Sequence, residues 1–299
     1  MNSVSAIFAW DGNTRFSETI GSIKRCEIIK AKAAVMPSGI SAGPAGFALI
    51  RVSNLWSKQA ILDSMKWFSE CGADCMLIIN SGAPVLNPEG LRRMAACMHD
   101  TDASIIYGDY YDILQDGTSR IHPLIDYQPG SIRDNFDFGP AFLINRRFIE
   151  DIYKEIGKTS PDLVLGGLYD LRLRLIERDP AYHIPEPLYS CVTDGSSKTS
   201  SHFTYVDPRN RMYQLEMEKI AAAHLQRIGA FINPGAEPLV TTGDFPVKAS
   251  VIIPVRNRSR TVSDAVTSAL SQKTTFDYNV IVIDNHSNDG TTDILAKIA

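Results

Sequence analysis

No apolar run in the 299 residues approaches the ~20 consecutive residues of a membrane-spanning helix. The segment Met1 to Trp10 lacks the basic stretch and long apolar core of a secretory signal. Positive charge is not in excess: 30 Lys and Arg stand against 34 Asp and Glu, a formal charge of −4. That mild acidity argues against a nucleic-acid partner, which usually meets a basic face. Cysteine is sparse and odd in number, with Cys26, Cys71, Cys75, Cys97 and Cys191 at irregular spacings. Such usage speaks against a disulfide framework and for a reducing, cytoplasmic compartment, with buried thiols. Cys71 and Cys75 stand four apart, but no second Cys or His pair completes a zinc site. The histidines (His99, His122, His183, His202, His224 and His286) share no metal-like spacing. The small-residue run from Gly39 to Gly46 lacks the Lys-Ser/Thr of a phosphate loop and the glycine spacing of a dinucleotide turn, and reads as a surface loop.

What is present is the balance of a soluble globular chain, 44% apolar and 21% charged. At roughly 150 residues per domain the length suggests about two domains. The clearest boundary lies late. Asp207-Pro208 is a good helix start, and Met217, Ile220, Ala221, Leu225, Ile228 and Ile232 follow at helical spacing. The pattern breaks at Asn233-Pro234-Gly235, and residues 233–247 read as a linker. Ala249 to Val255 then forms an apolar run expected of a strand buried on both faces. Val262, Ala265, Val266, Ala269 and Leu270 mark a helix, Tyr278 to Ile283 a second strand ending at Asp284, and Thr291 another helix. This is the opening of a doubly wound sheet.

The same opening appears, blurred, at the N-terminus. Ser5-Ala6-Ile7-Phe8 matches Ser250-Val251-Ile252-Ile253, and Phe16 to Ser22 matches Val262 to Ser268, at a separation of about 245 residues. The second copy, residues 248–299, has 52 residues, short of the length its own repeat implies, so a fragment of a longer tandem protein is expected. So short a segment supplies too little to bury a core alone. Within the first copy, Cys75 to Ile79 reads as a strand. Asn87-Pro88-Glu89 caps a helix carrying Leu91, Met94, Ala95 and Met98. Ala103 to Tyr107 is a strand and Gln115 to Thr118 a turn. Ala141 to Ile144 is a short strand, Leu168 to Arg178 a helix, and His183 to Tyr189 an extended stretch.

The run Ser250-Val251-Ile252-Ile253-Pro254-Val255-Arg256-Asn257-Arg258, followed by Val280 to Thr291, resembles the start of family 2 glycosyltransferases of the GT-A fold. Residues 1–232 are similar to later parts of the same family at Ile106-Tyr107-Gly108-Asp109, at Phe138 to Arg147, at Leu168 to Leu175 and at His183 to Tyr189; residues 24–70 match weakly. The resemblance implies an α/β fold, a GT-A-like mixed sheet flanked by helices over 1–232, a linker at 233–247, and the opening βαβ of a second such domain at 248–299. It implies a transferase that moves sugar from a nucleotide-sugar donor to a saccharide or lipid-linked acceptor in surface polysaccharide synthesis, with peripheral association at a membrane through the acceptor. A divalent metal, Mn²⁺ or Mg²⁺, neutralises the diphosphate leaving group in such enzymes, held by an Asp-x-Asp, and a carboxylate base deprotonates the acceptor.

Three of the implied acids are missing from residues 1–232. The Asp-x-Asp position falls at Asn80-Ser81-Gly82, no acid lies between Glu27 and Asp63, and the base position falls at Leu168. Asp109, Asp112 and Asp170 remain for a rearranged site, with Asp170 as the catalytic candidate and Asp109 as a substrate-binding one. The plainer alternative makes Asp109 a strand-end cap and Asp170 an ion-pair or helix-surface residue. Arg172 and Arg174 are expected to be solvated or paired with acids. In the second copy Asp284 takes the position that reads the nucleotide, while Asp289 is expected to hold the loop and cap the next helix. No metal ligand set is expected in this chain. The alternative function for residues 1–232 is a non-catalytic module for acceptor binding or assembly.

Overall fold

The uninterrupted apolar runs become the inner strands of a mixed sheet, because a strand covered on both faces has no polar side to show. The computed structural model describes residues 3–13, 16–80, 82–192, 210–232 and 245–299. By its contacts the chain divides into two units, Met1–Ile232 and Asn233–Ala299, and each is described by itself. In the first, β1 (Val4–Ala9), β2 (Ile29–Pro37), β3 (Ala48–Val52), β4 (Cys75–Ile79), β6 (Ile105–Gly108), β9 (Ala141–Asn145) and β10 (Ala181–Ile184) form one seven-stranded sheet. Its order is β10-β6-β9-β4-β1-β2-β3. All neighbours are parallel except at β9, which runs antiparallel to both β4 and β6, with Leu77 opposite Leu143. Every residue of β1, β4 and β9 is buried. The expected α/β class, with a mixed sheet flanked by helices, is what the chain adopts.

A smaller sheet carries one wall of the site. It pairs β5 (Pro84–Leu86), β11 (Tyr189–Val192), β7 (Tyr110–Ile113) and β8 (Ser119–His122) in the order β5-β11-β7-β8. The extended stretch read as one segment from His183 to Tyr189 divides here: β10 joins the large sheet beside β6, and β11 joins the small one beside β7. Pro185 and Pro187 lie between them, and proline cannot donate to a ladder. The turn read at Gln115 to Thr118 closes the β7–β8 hairpin.

The helices are α1 (Ser17–Arg25), α2 (Lys58–Cys71), α3 (Pro88–Thr101), α4 (Ile149–Thr159), α5 (Gly167–Arg178) and α6 (Arg211–Arg227). The start of α3 follows its sequence signature, with Asn87 accepting from the Glu89 N–H at 2.9 Å and Pro88 at the first helical position. Leu91, Met94, Ala95 and Met98 are buried as expected. The weakly matching stretch 24–70 contributes β2, β3 and α2, and α4 lies in a segment not read as helical. One boundary moves. The expected start of α6 at Asp207-Pro208 lies outside the described residues, as does 233–244 of the expected linker. The helix ends at Arg227 rather than Ile232, because Gly229 takes φ +71° and the Ala230 and Phe231 N–H groups turn back to the Leu225 carbonyl. All five thiols are free, and burial pushes Cys75 up to about 12, the behaviour of an inert structural cysteine. No helix among the described residues is long and apolar enough to cross a membrane.

Helix α6 docks on α5 by two means. Met217 and Ile220 pack with Leu163, Tyr169 and Leu173. Glu177 then receives Arg227 at 2.7 Å and pairs with His224 at 2.6 Å. Burial alone would raise the Glu177 carboxyl, but the hydrogen bonds from His224 and Arg227 outweigh it and hold it at about 2 against an ordinary 4.5. A depressed carboxyl contributes stability that is full above its unfolded value and lost as pH falls through the folded one. Acid unfolding of wild type is therefore expected to steepen between pH 4.5 and 2. Glu177→Gln is expected to flatten that limb, as followed by circular dichroism; an unchanged limb would remove Glu177 from the explanation.

The second unit contains β12 (Ala249–Val255), α7 (Val262–Leu270), β13 (Tyr278–Asp284) and α8 (Thr291–Ile298), with β12 and β13 parallel and Val255 opposite Asp284. The order β-α-β-α is as read from sequence. Burial on both faces is not: Val255, Val262 and Val266 form a small cluster with Ile253, Val282, Ile294 and Leu295, while Ile252, Ile281 and Ile283 on the other face are exposed. One layer of helices covers only one face of a two-stranded sheet, and alternate side chains face away from it.

Candidate functional site

A large cleft of the first unit is built on an irregular segment that three tyrosines pin down. The hydroxyls of Tyr107, Tyr127 and Tyr169 donate to the carbonyls of Ile125, Ser131 and Ile132. Phe136 and Phe138 from this segment pack edge-on against Tyr107, the Phe138 ring at 4.8 Å. The cleft so formed has a volume of about 1080 Å³. One wall comes from the small sheet, where Tyr110 stacks on His122 at 4.4 Å and His122 pairs with Asp112 at 2.8 Å. The opposite wall comes from α5 and α6, with Tyr169, Arg172 and Tyr213. The Tyr213 hydroxyl donates to the Asp134 carboxylate at 2.9 Å.

Asn80, Gly82 and Leu168 all line this cleft, so the positions where the resemblance calls for acids do converge. Ser81 lies outside the described residues. An amide, a glycine and a leucine offer no anionic oxygen to a hard cation. Among the described residues no group of three or more His, Cys, Asp and Glu side chains could hold a metal ion. The donor set does not fit a divalent metal, and no chemical step here is routed through one.

The two acids singled out in this unit are committed elsewhere. Asp109, at the end of β6, is buried; it accepts from the Leu124 N–H at 2.8 Å and pairs with His183 at 2.9 Å. His183 reaches Asp126 at 2.8 Å with its other ring nitrogen and stacks on Tyr107. Asp170, 2% exposed, accepts from Arg174 at 3.1 Å and from the Ser160 hydroxyl. Neither lines the cleft. The two arginines expected to be solvated or paired differ. Arg174 is buried and paired with Asp170, whereas Arg172 is buried with no carboxylate of the described residues within 4 Å. Sequence reasoning read Arg172 as solvated or paired and gave Tyr110 and Tyr213 no role; the aromatic content of Phe136-Asp137-Phe138 is a local signal that points to the cleft.

In the second unit the loops after β12 and β13 are laced together at the carboxyl ends of the strands. Asn257 and His286 both take positive φ, 54° and 55°, conformations costly enough to suggest a shaped loop. The Asn257 N–H donates to Ser287 Oγ at 2.8 Å, and its side chain accepts from the Asn288 N–H at 2.9 Å. Asp284 closes β13, accepting from the Ser287 N–H at 3.1 Å and from the Thr292 hydroxyl. Those bonds, Ser287 first, hold its carboxyl below the ordinary range. Asp289 accepts from the Ser259 and Thr291 N–H groups, tying one loop to the start of α8. Arg256, Arg258 and Arg260 are exposed on the β12 loop, so cationic side chains flank an anionic strand end where ligands of open α/β sheets bind.

Residues 250–299 match the sequence model of glycosyl transferase family 2. No curated protein matches the chain. Two solved structures of glucosyl-3-phosphoglycerate synthase from Mycobacterium tuberculosis are similar in fold. The one in complex with Mg²⁺ and uridine-diphosphate has a TM-score of 0.45 at 11% identity, covering 78% of this chain and 82% of that one. The one in complex with Mn²⁺, uridine-diphosphate and phosphoglyceric acid has a TM-score of 0.46 at 10% identity, covering 78% and 81%.

Proposed function

We propose that this chain is part of a nucleotide-sugar glycosyltransferase of the family 2 type. In this reading residues 248–299 are the opening of a tandem second GT-A domain, and the acceptor is a saccharide or lipid-linked sugar in surface polysaccharide synthesis. The carrying observation is Asp284 at the carboxyl end of β13, inside the segment that matches the family. Its carboxylate accepts hydrogen bonds from the nucleotide base or ribose. The exposed arginines of the β12 loop supply positive charge toward the phosphates, where negative charge grows as the anomeric carbon departs.

For residues 1–232 a non-catalytic, acceptor-binding role is favoured by a specific observation. The cleft presents Asn80, Gly82 and Leu168 where acids would stand, and its walls are aromatic. Rings that stack on sugar faces, with scattered carboxylates that accept hydroxyl protons, suit a saccharide. A catalytic Asp170 would first have to leave Arg174 and Ser160.

Calorimetric titration with UDP-, GDP- and dTDP-sugars tests the donor reading. Asp284→Ala is expected to weaken binding of the preferred nucleotide sugar about tenfold, since hydrogen bonds to a charged group are worth roughly 1.5–3 kcal/mol. Equal affinity in wild type and variant would remove Asp284 from the site.

A further inference from the structure

Arg172 is a buried cation that forms no ion pair among the described residues. The residue is 8% exposed on α5 and lines the cleft. The guanidinium donates to two backbone carbonyls, those of Arg133 and, at 3.4 Å, Asp134. It lies over the rings of Tyr169 at 4.8 Å and Phe138 at 5.5 Å. Its Nε–H is buried and has no partner. Two residues further along the same helix, Arg174 faces Asp170 and Glu155, while Arg172 has neither. Burying a charge without a counter-charge is costly, and a donor left unpaired adds to that cost. Carbonyl dipoles and ring faces offset only part of it. Desolvation pulls the Arg172 pKa down, and the opposing influence of its neighbours, Asp134 among them, does not cancel it.

No described carboxylate around the cleft is in ion-pair contact with Arg172, although Asp134 is near enough to act on it. Asp112 pairs with His122, Asp134 accepts from Tyr213, and Asp137 accepts from the Gly139 N–H at 2.8 Å. Arg120, exposed at the cleft, is a second cation without an ion-pair partner among the described residues. The cleft thus combines aromatic platforms and hydroxyl-accepting carboxylates with a guanidinium that lacks its oxyanion.

Resting on the reading of residues 1–232 as an acceptor-binding unit, we propose that this cleft selects an acidic saccharide. A sugar ring lies on the aromatic walls, and an oxyanion substituent of the same ligand pairs with Arg172. A planar guanidinium matches a carboxylate or a phosphate ester with two parallel hydrogen bonds, so both sources share the chemistry.

The test is titration of the full chain, by calorimetry and by tryptophan fluorescence, since Trp56 lines the cleft. The probes are a glucuronate-containing tetrasaccharide, its carboxyl-reduced neutral counterpart, a phosphorylated oligosaccharide, and inorganic phosphate. At least one acidic probe is expected to bind about tenfold or more tightly than the neutral one, the scale of a desolvated charged pair. Which acidic probe wins identifies the substituent. Arg172→Lys is expected to retain part of the preference and Arg172→Met to abolish it. Its melting temperature is expected to match or exceed wild type, because an unpaired buried charge is removed. Equal binding of acidic and neutral probes overturns the inference without requiring any variant, and so does a preference that survives Arg172→Met. Inorganic phosphate binding as tightly as the acidic sugars overturns the saccharide part. Failure of every saccharide to bind overturns the acceptor reading as well.

Discussion

Arg174→Met is expected to destabilise residues 1–232 by about 3 kcal/mol, the lower end of the ~3–5 kcal/mol for breaking a buried pair, because Asp170 keeps only the more distant cation Arg227, at 3.9 Å. Asp170 and Arg174 are each 2% exposed and stand one helical turn apart on α5 at 3.1 Å. Ser160 donates to Asp170 and receives from Arg174, so the pair also pins the segment between α4 and α5. Asp170→Leu combined with Arg174→Met is expected to recover most of the loss, because a well-packed apolar pair can replace a buried ion pair at little cost. Urea unfolding reads this cleanly: Trp10, Trp56 and Trp67 are the only tryptophans and all lie in residues 1–232. A loss below about 1 kcal/mol for Arg174→Met, the scale of a solvated surface pair, would return Asp170 to the list of residues free for chemistry.

Gly90→Ala is the second large effect. A Cβ there would stand 1.9 Å from the Leu188 carbonyl oxygen and 2.7 Å from its carbonyl carbon. Backbone cannot swing aside as a side-chain tip can, so α3 must move off the connection between β10 and β11. The expected cost is at or above the upper end of the ~1–3 kcal/mol typical of overpacking. The displacement also reaches the cleft. Leu188 donates to the Asp109 carbonyl at 2.9 Å, and the next residue, Tyr189, stacks on Tyr110. Gly157→Ala on α4 is the control: its Cβ would meet nothing within 4 Å, so it is expected to gain about 0.5–1 kcal/mol of helix stability. Thermal unfolding of the two variants should shift in opposite directions; shifts of the same sign would contradict the packing around Gly90.

The elements legible in the sequence are those where two signals agree. The inner strand β4 combines an unbroken apolar run with polar ends, and α3 combines helical spacing with an Asn-Pro start. The β12–β13 pair was clear for the same reason. In β2, Lys30 and Lys32 interrupt the apolar run, which blurs its period. The division of β10 from β11 depends on which strands they pair with, a long-range property that local pattern does not hold. The site was legible only in part. Asn80, Gly82 and Leu168 do meet in one cleft, as their alignment implies. Arg172 stayed hidden because reading a helix by its apolar stripe assumes one face in solvent. In α5 every residue from Tyr169 to Leu175 is buried, so neither arginine could be placed by periodicity. Their different fates, one paired and one not, follow from tertiary neighbours.

The most direct measurement is the metal dependence of nucleotide-sugar affinity. Tight metal-assisted binding needs carboxylates that hold a cation against the diphosphate. In the first unit the cleft supplies Asn80 and Gly82 in place of such carboxylates; in the second unit Asp284 is the residue proposed to meet the base or ribose. Calorimetric titration of the full chain with UDP-, GDP- and dTDP-sugars, with and without Mn²⁺ or Mg²⁺, is expected to show weak binding that metal improves little. A micromolar affinity that vanishes on chelation and on Asp109→Asn would contradict this, and would identify residues 1–232 as a working metal-dependent transferase.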